Sequence, residues 1–147
     1  MDSRTFKRIL KKSQDYMIQA NSIQERNPAL KKGLIQIKFL NEVLVDFWVE
    51  YLGIGILYLS LEYHKTHPLE LRKRIEVGKG WLEKNNFFHY YLCMVDDERM
   101  ETTSEATKVN ITALEHGMKF MIFARKDDFM NFLCGLHKRA YVIHQRR

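Results

Sequence analysis

From Ser3 to about Gln24, the apolar residues Phe6, Ile9, Leu10, Tyr16, Met17, Ala20 and Ile23 recur at helical spacing, with Arg4, Lys7, Arg8, Lys11 and Lys12 on the remaining faces. The pattern predicts an amphipathic first helix. Asn27-Pro28 offers a cap and a proline at the first helical position, and Leu30, Leu34, Ile37, Leu40, Leu44, Phe47, Trp48 and Tyr51 extend a second helix with a wide apolar surface. Gly53 and Gly55 interrupt it. Between Ile56 and Tyr63, Leu57, Leu59 and Leu61 alternate with Tyr58, Ser60 and Glu62 as in a strand, while Leu57 and Leu61 also suit a short buried helix. The scarcity of other strands to pair with it favours the helix. After His67-Pro68, helical spacing resumes from Leu69 to Asn85 through Leu71, Ile75 and Leu82, with Gly78 and Gly80 weakening the middle.

Asn85-Asn86 ends that helix, and Phe87 to Val95 (FFHYYLCMV), aromatic and β-branched with no breaker, is the clearest strand candidate. Asp96 to Thr107 reads as a polar, acidic loop, and Lys108 to Ile111 as a short second strand pairing back across it. Thr112-Ala113-Leu114-Glu115 has the form of a capping box, so Thr112 is expected to cap a helix running through Leu114, Met118, Met121 and Ile122. Asp127 or Asp128 caps a last helix along Phe129, Phe132, Leu133, Leu136, Ala140 and Ile143. No internal repeat is visible.

This order of elements resembles the winged helix-turn-helix of small bacterial and phage DNA-binding proteins. Trp81-Leu82-Glu83-Lys84-Asn85-Asn86-Phe87-Phe88 resembles the end of a recognition helix entering the first wing strand. Ile111-Thr112-Ala113-Leu114-Glu115-His116-Gly117-Met118-Lys119-Phe120 resembles the phrase that follows the second wing strand. Gly117 would permit close backbone approach where the returning helix crosses its neighbours. The resemblance covers residues 54 to 123. It implies a mainly α fold with a small antiparallel β-wing and additional N- and C-terminal helices. As one domain over residues 1–147, the chain divides into an amphipathic helix at 1–27, a winged-helix core at 28–123 and a C-terminal helix at 124–147. The sequence departs from a DNA-reading member in its wing, where Asp96, Asp97, Glu98, Glu101 and Glu105 oppose the single Arg99 and would be repelled by phosphate.

Composition fits a single globular domain: 147 residues, 46% of them hydrophobic, with only 2 prolines, are enough for a real core without disulfides or a structural metal. Cys93 and Cys134 lack any CxxC spacing, which argues against a zinc knuckle and points to a reducing compartment. The first fifteen residues show no apolar core of a secretory signal, and the apolar run Tyr51 to Leu61 is too short to span a bilayer. The expected location is cytoplasmic or nucleoid-associated, without membrane insertion. A net charge of +6 makes phosphate a favourable partner.

The function expected from these features is non-catalytic. A homodimer binds double-stranded DNA through Arg72, Lys73, Arg74, Lys79 and Lys84, as a regulator of transcription or of mobile elements. The dimer follows from the terminal helices, whose apolar faces (Phe6, Leu10, Tyr16 and Met17 against Phe129, Phe132, Leu136 and Ile143) exceed what a small winged core covers. One alternative is a protein-interaction module using the acidic wing on a basic partner. Another is enzymatic: Arg139 and His144 match the Arg-x4-His spacing of the HEPN ribonucleases, an all-helical family, although a basic C-terminal end explains the same residues. His64 and His67 form a two-imidazole pair with no carboxylate or thiol cluster nearby, so no metal is expected. No dinucleotide or Walker fingerprint is present, and no cofactor is expected.

Overall fold

The computed structural model describes residues 17–31, 34–96 and 103–146. They build a six-stranded mixed sheet between two layers of helices, and this overturns the mainly helical winged fold. In chain order the elements are β1 (Ile18–Asn21), β2 (Ile37–Leu40), β3 (Phe47–Val49), β4 (Ile54–Ser60), α1 (Leu61–Thr66), α2 (Glu70–Glu83), β5 (His89–Val95), α3 (Thr103–Glu115), β6 (Lys119–Phe123) and α4 (Lys126–Gln145). Short 3-10 turns follow β1 (Ser22–Arg26) and β3 (Glu50–Leu52). The strands lie in the order β2-β1-β3-β4-β5-β6. β4, β5 and β6 run parallel, β2 runs parallel to β1, and β3 is antiparallel to both its neighbours.

Both faces of the sheet are covered, so its central strands are apolar on both sides instead of alternating. On one face, Leu57, Leu59, Leu92 and Met94 pack against Leu71, Ile75 and Leu82 of α2 and Val109 and Ala113 of α3. On the other, Ile54, Ile56, Cys93 and Val95 meet Phe129, Met130, Leu133 and Ala140 of α4. Phe129 is fully buried, its ring 5.5 Å from Phe47, 4.8 Å from Tyr58 and 5.7 Å from Phe123. The apolar face of α4 is therefore covered by its own sheet, which removes the C-terminal half of the surplus on which a dimer of terminal helices depends; Phe6, Leu10 and Tyr16, from the other half, lie outside the described residues.

Several local expectations are corrected. Residues 1–16, most of the expected first helix, lie outside the described residues, and from Ile18 the chain is strand and 3-10 turn. The expected helix from Pro28 to Tyr51 is instead a turn followed by β2 and β3. Asn27 accepts from the Ala29 amide at 2.9 Å in a local turn, with no helix after it. Ile56 to Ser60 is strand because β5, more than thirty residues away, supplies the partner that local reading cannot see. The described residues form no wing: β5 pairs with β4 and β6, residues 108–111 are helical, and Asp97, Glu98, Arg99 and Glu101 of the expected acidic tip lie outside the described residues. Gly117 has no neighbour near its missing side chain; its φ of +70° makes the left-handed turn that ends α3. The strand His89–Val95 and the helices α2 and α4 stand where the sequence puts them.

Thr112 sits within α3, and its hydroxyl donates back to the Lys108 carbonyl at 3.1 Å. Back-bonding of this kind gives a helix interior little, and alanine has the higher helix propensity. Thr112→Ala is expected to leave the urea midpoint unchanged or to raise stability by up to about 0.5 kcal/mol; a loss of ~1 kcal/mol would instead be the signature of a cap.

Candidate binding site

β1 and β4 end at the same edge of the sheet on either side of β3, and a cavity of about 690 Å³ opens where their following turns diverge. Openings at the carboxyl ends of parallel strands are where open α/β sheets commonly hold ligands. Ile23, Gln24, Asn27 and Pro28 come from the turn after β1, Tyr58 and Ser60 from β4, Tyr63 from α1, and Glu70 and Arg74 from α2. Lys126 adds the start of α4. Ser60 turns strand into helix by accepting from the Tyr63 amide at 3.4 Å, which aims Tyr63 along the rim.

The floor is an ion pair. Asp46 enters β3 with its side chain 16% exposed, and Arg74 reaches it at 2.8 Å. The arginine also donates to the Tyr58 carbonyl at 2.9 Å, while the Tyr58 amide donates to Asp46 at 2.7 Å. Gln24 donates to the other carboxylate oxygen at 3.1 Å and accepts from Asn27 at 2.9 Å. Two strands, a turn and a helix are thus tied through one carboxylate. Burial pushes the Asp46 carboxyl above its ordinary range; the charge of Arg74 and the hydrogen bonds from Tyr58, Arg74 and Gln24 offset part of that push.

At the rim, Tyr63 donates to Glu70 at 2.8 Å, which raises the phenol's pKa, and its ring stacks on His67 at 4.0 Å. Ile23, 77% exposed, forms an apolar lip. Arg26, Arg74 and Lys126 line the opening together with Asp46, Glu62 and Glu70, so its charge is balanced. The arrangement suits a ligand with both polar and apolar groups and offers no concentrated field for a polyanion.

The sequence-predicted cations separate. All five lie on α2 or its C-terminal cap, but only Arg74 enters the cleft, where it serves the ion pair. Arg72 pairs with Glu115 at 3.1 Å, Lys79 reaches the His116 carbonyl at 3.5 Å, and Lys73 and Lys84 are exposed. Arg139 and His144 also part: Arg139 is exposed on α4, whereas His144 lays its ring against Tyr51 at 5.6 Å, and the sheet excludes an all-helical HEPN fold. His64 is buried, with desolvation lowering its pKa, while His67 stacks outside. Among the described residues no group of three or more His, Cys, Asp or Glu forms a metal site, and no helix is long and apolar enough to cross a membrane. Sequence reading misses Asp46, although a lone carboxylate inside Val43-Leu44-Val45-Asp46-Phe47-Trp48-Val49 carries a signal: acids in such runs are buried only when paired.

Comparison with known proteins bears on the whole fold. A solved structure, XPF from Aeropyrum pernix in complex with DNA, superimposes with a TM-score of 0.61 at 10% sequence identity, covering 85% of this chain and 64% of that one. The likeness is one of fold, and this chain spans somewhat under two thirds of the length of that protein. No curated protein matches by sequence. Residues 15–140 match the family model Rad10, described as the binding domain of DNA repair protein Ercc1 (rad10/Swi10). That match takes in every strand of the sheet, both walls of the cleft and the Asp46–Arg74 floor, and with it the chain belongs to the Rad10 family.

Proposed function

We propose that this chain is a non-catalytic binding domain of DNA repair, engaging duplex DNA through the exposed cations of α2 and a partner protein through the cleft. The observation that carries the reading is the Rad10 match over residues 15–140. It replaces the expected role in transcription or mobile elements with repair. A DNA complex of the XPF neighbour and the net charge of +6 support the nucleic-acid half.

In this reading Arg72, Lys73 and Lys84 engage phosphates, Lys79 stays half-buried beside α3, and Arg74 shapes the cleft. Binding to random duplex should fall steeply with salt, and the triple change Arg72→Ala, Lys73→Ala, Lys84→Ala should lower the slope of log K against log salt by ~0.9 for each phosphate that is no longer neutralised. An unchanged slope and affinity would remove α2 from the interface.

The protein half rests on the cleft's balanced charge and apolar lip, which favour a short peptide segment over a phosphate backbone. It takes over from the acidic wing, whose two strands the described residues do not form. A partner segment seated there would compete with nothing on the exposed side of α2, so DNA and protein can be held together.

A further inference from the structure

The α1–α2 corner has a second side. Tyr63 and Glu70 line the cleft, whereas His64, Leu71 and Arg72 border a separate cavity of about 370 Å³, lined across from them by Glu105, Lys108 and Val109 of α3. Its volume is that of a small-molecule site. Leu71 and Val109, both buried in the core, give it an apolar floor, and Leu69, 93% exposed, gives it an apolar lip.

His64 is the polar group that this wall leaves unserved. It is only 8% exposed, and among the described residues no side chain or carbonyl hydrogen-bonds to its ring. Its ring nitrogens are not sealed in protein but open onto the cavity that the residue lines. Burial lowers the pKa of the ring, Glu105 on α3 opposes that shift and Arg74 on α2 adds to it, so the imidazole is neutral and has one N–H to donate. A buried donor without an acceptor is costly, and a ligand that brings one relieves the cost.

Two cations set the sign of that ligand. Lys108 pairs with Glu105 at 3.6 Å and Arg72 with Glu115 at 3.1 Å, but all four side chains are at least 35% exposed, and bridges of this kind are exchanged at little cost. Glu115 does not line the cavity, so the wall sets Arg72 and Lys108 against Glu105 alone, a surplus of one positive charge. α2 also begins here without a side-chain cap, and its first turn adds partial positive charge. One surplus charge above an apolar floor matches a carboxylate on a short hydrocarbon body. A phosphate dianion would exceed that charge and be repelled by Glu105.

We propose that the cavity between α1, α2 and α3 binds a small apolar carboxylate, its head held by His64 and Lys108 and its body laid on Leu71 and Val109. The site is separate from the cleft and goes beyond the proposed function. Arg72, at its rim, is the one residue shared with the proposed DNA surface, and the test leaves it unchanged.

Proton NMR of the histidine rings tests the proposal on the full chain, with hexanoate as the probe at about pH 8, where ordinary imidazoles are neutral. The His64 resonances, identified by their loss in His64→Gln, are expected to shift saturably, while those of His89, His137 and His144, remote from the cavity, stay in place. Hexanol, which has the body without the charge, and inorganic phosphate, which has charge without the body, are both expected to bind more weakly. Lys108→Met is expected to weaken hexanoate binding about tenfold, the worth of one hydrogen bond to a charged group, and Lys108→Arg to restore most of it. Both Lys108 variants are expected to melt at the wild-type temperature, because this side chain is 69% exposed. No saturable shift at His64, or equal affinity in Lys108→Met, overturns the proposal. So does equal binding of hexanol, which would make the cavity a purely apolar hole, or of phosphate, which would make it a general anion site.

Discussion

Arg74→Ala should destabilise the fold by about 3–5 kcal/mol, the cost typical of removing one partner from a buried ion pair. The magnitude comes from what is left behind and not from the pair's own attraction. Asp46, 16% exposed on its side chain, would retain the Tyr58 amide and Gln24 but lose its counter-ion, and the Tyr58 carbonyl would lose a donor. Urea unfolding of Arg74→Ala, Asp46→Asn and the double variant measures this directly. The double variant should be more stable than the sum of the two losses predicts, because the second change removes the stranded charge. A loss below ~1 kcal/mol in Arg74→Ala would place the pair among exposed bridges, which contribute little. The pH dependence has a definite sign. A carboxyl whose folded pKa is raised contributes stability that is fully present below the unfolded pKa and is lost as pH rises through the folded value, so the wild type should lose ground to Asp46→Asn across that interval.

Phe129→Ala should have an effect of similar size, about 3–5 kcal/mol, for a different reason. The ring fills the space between α4 and three strands, touching Phe47, Tyr58 and Phe123, and alanine would leave a void that three rigid neighbours cannot close. Phe129→Leu, closer in volume, should cost less than half as much. Chemical denaturation read by far-ultraviolet circular dichroism separates the two variants, and equal losses would show that ring geometry matters more than volume. Because Tyr58 also holds Asp46 through its amide, the alanine variant should loosen the cleft from behind as well.

What the sequence discloses follows from how local each element is. α2 and α4 are legible because three or more turns repeat the same apolar face, and β5 because its run of aromatic and apolar residues leaves no room for a helical polar side. β2 and β3, four and three residues long, are too short for an alternating pattern to show, and the leucines around them fall by coincidence at helical intervals. β4 is an intermediate case: its partner arrives only after two helices, so the deciding pairing is invisible from within the segment. At the site, Arg74 stands out in the sequence for its charge but with the wrong kind of partner to seek, since nothing local ties position 74 to position 46.

The sheet has a weak line in it. β3 touches β4 only from Phe47 to Val49, whereas β4 faces β5 along its whole length from Ile54 to Ser60. Amide hydrogens on the β4–β5 side should exchange only on global unfolding, and those of β1 and β2 through a cheaper opening in which the smaller lobe swings away at β3. The cleft straddles that line, with Gln24 and Asn27 on one bank and Tyr58 and Arg74 on the other. Any segment that fills it becomes a clasp across the seam, so occupancy would be written into the exchange rates of strands it never touches.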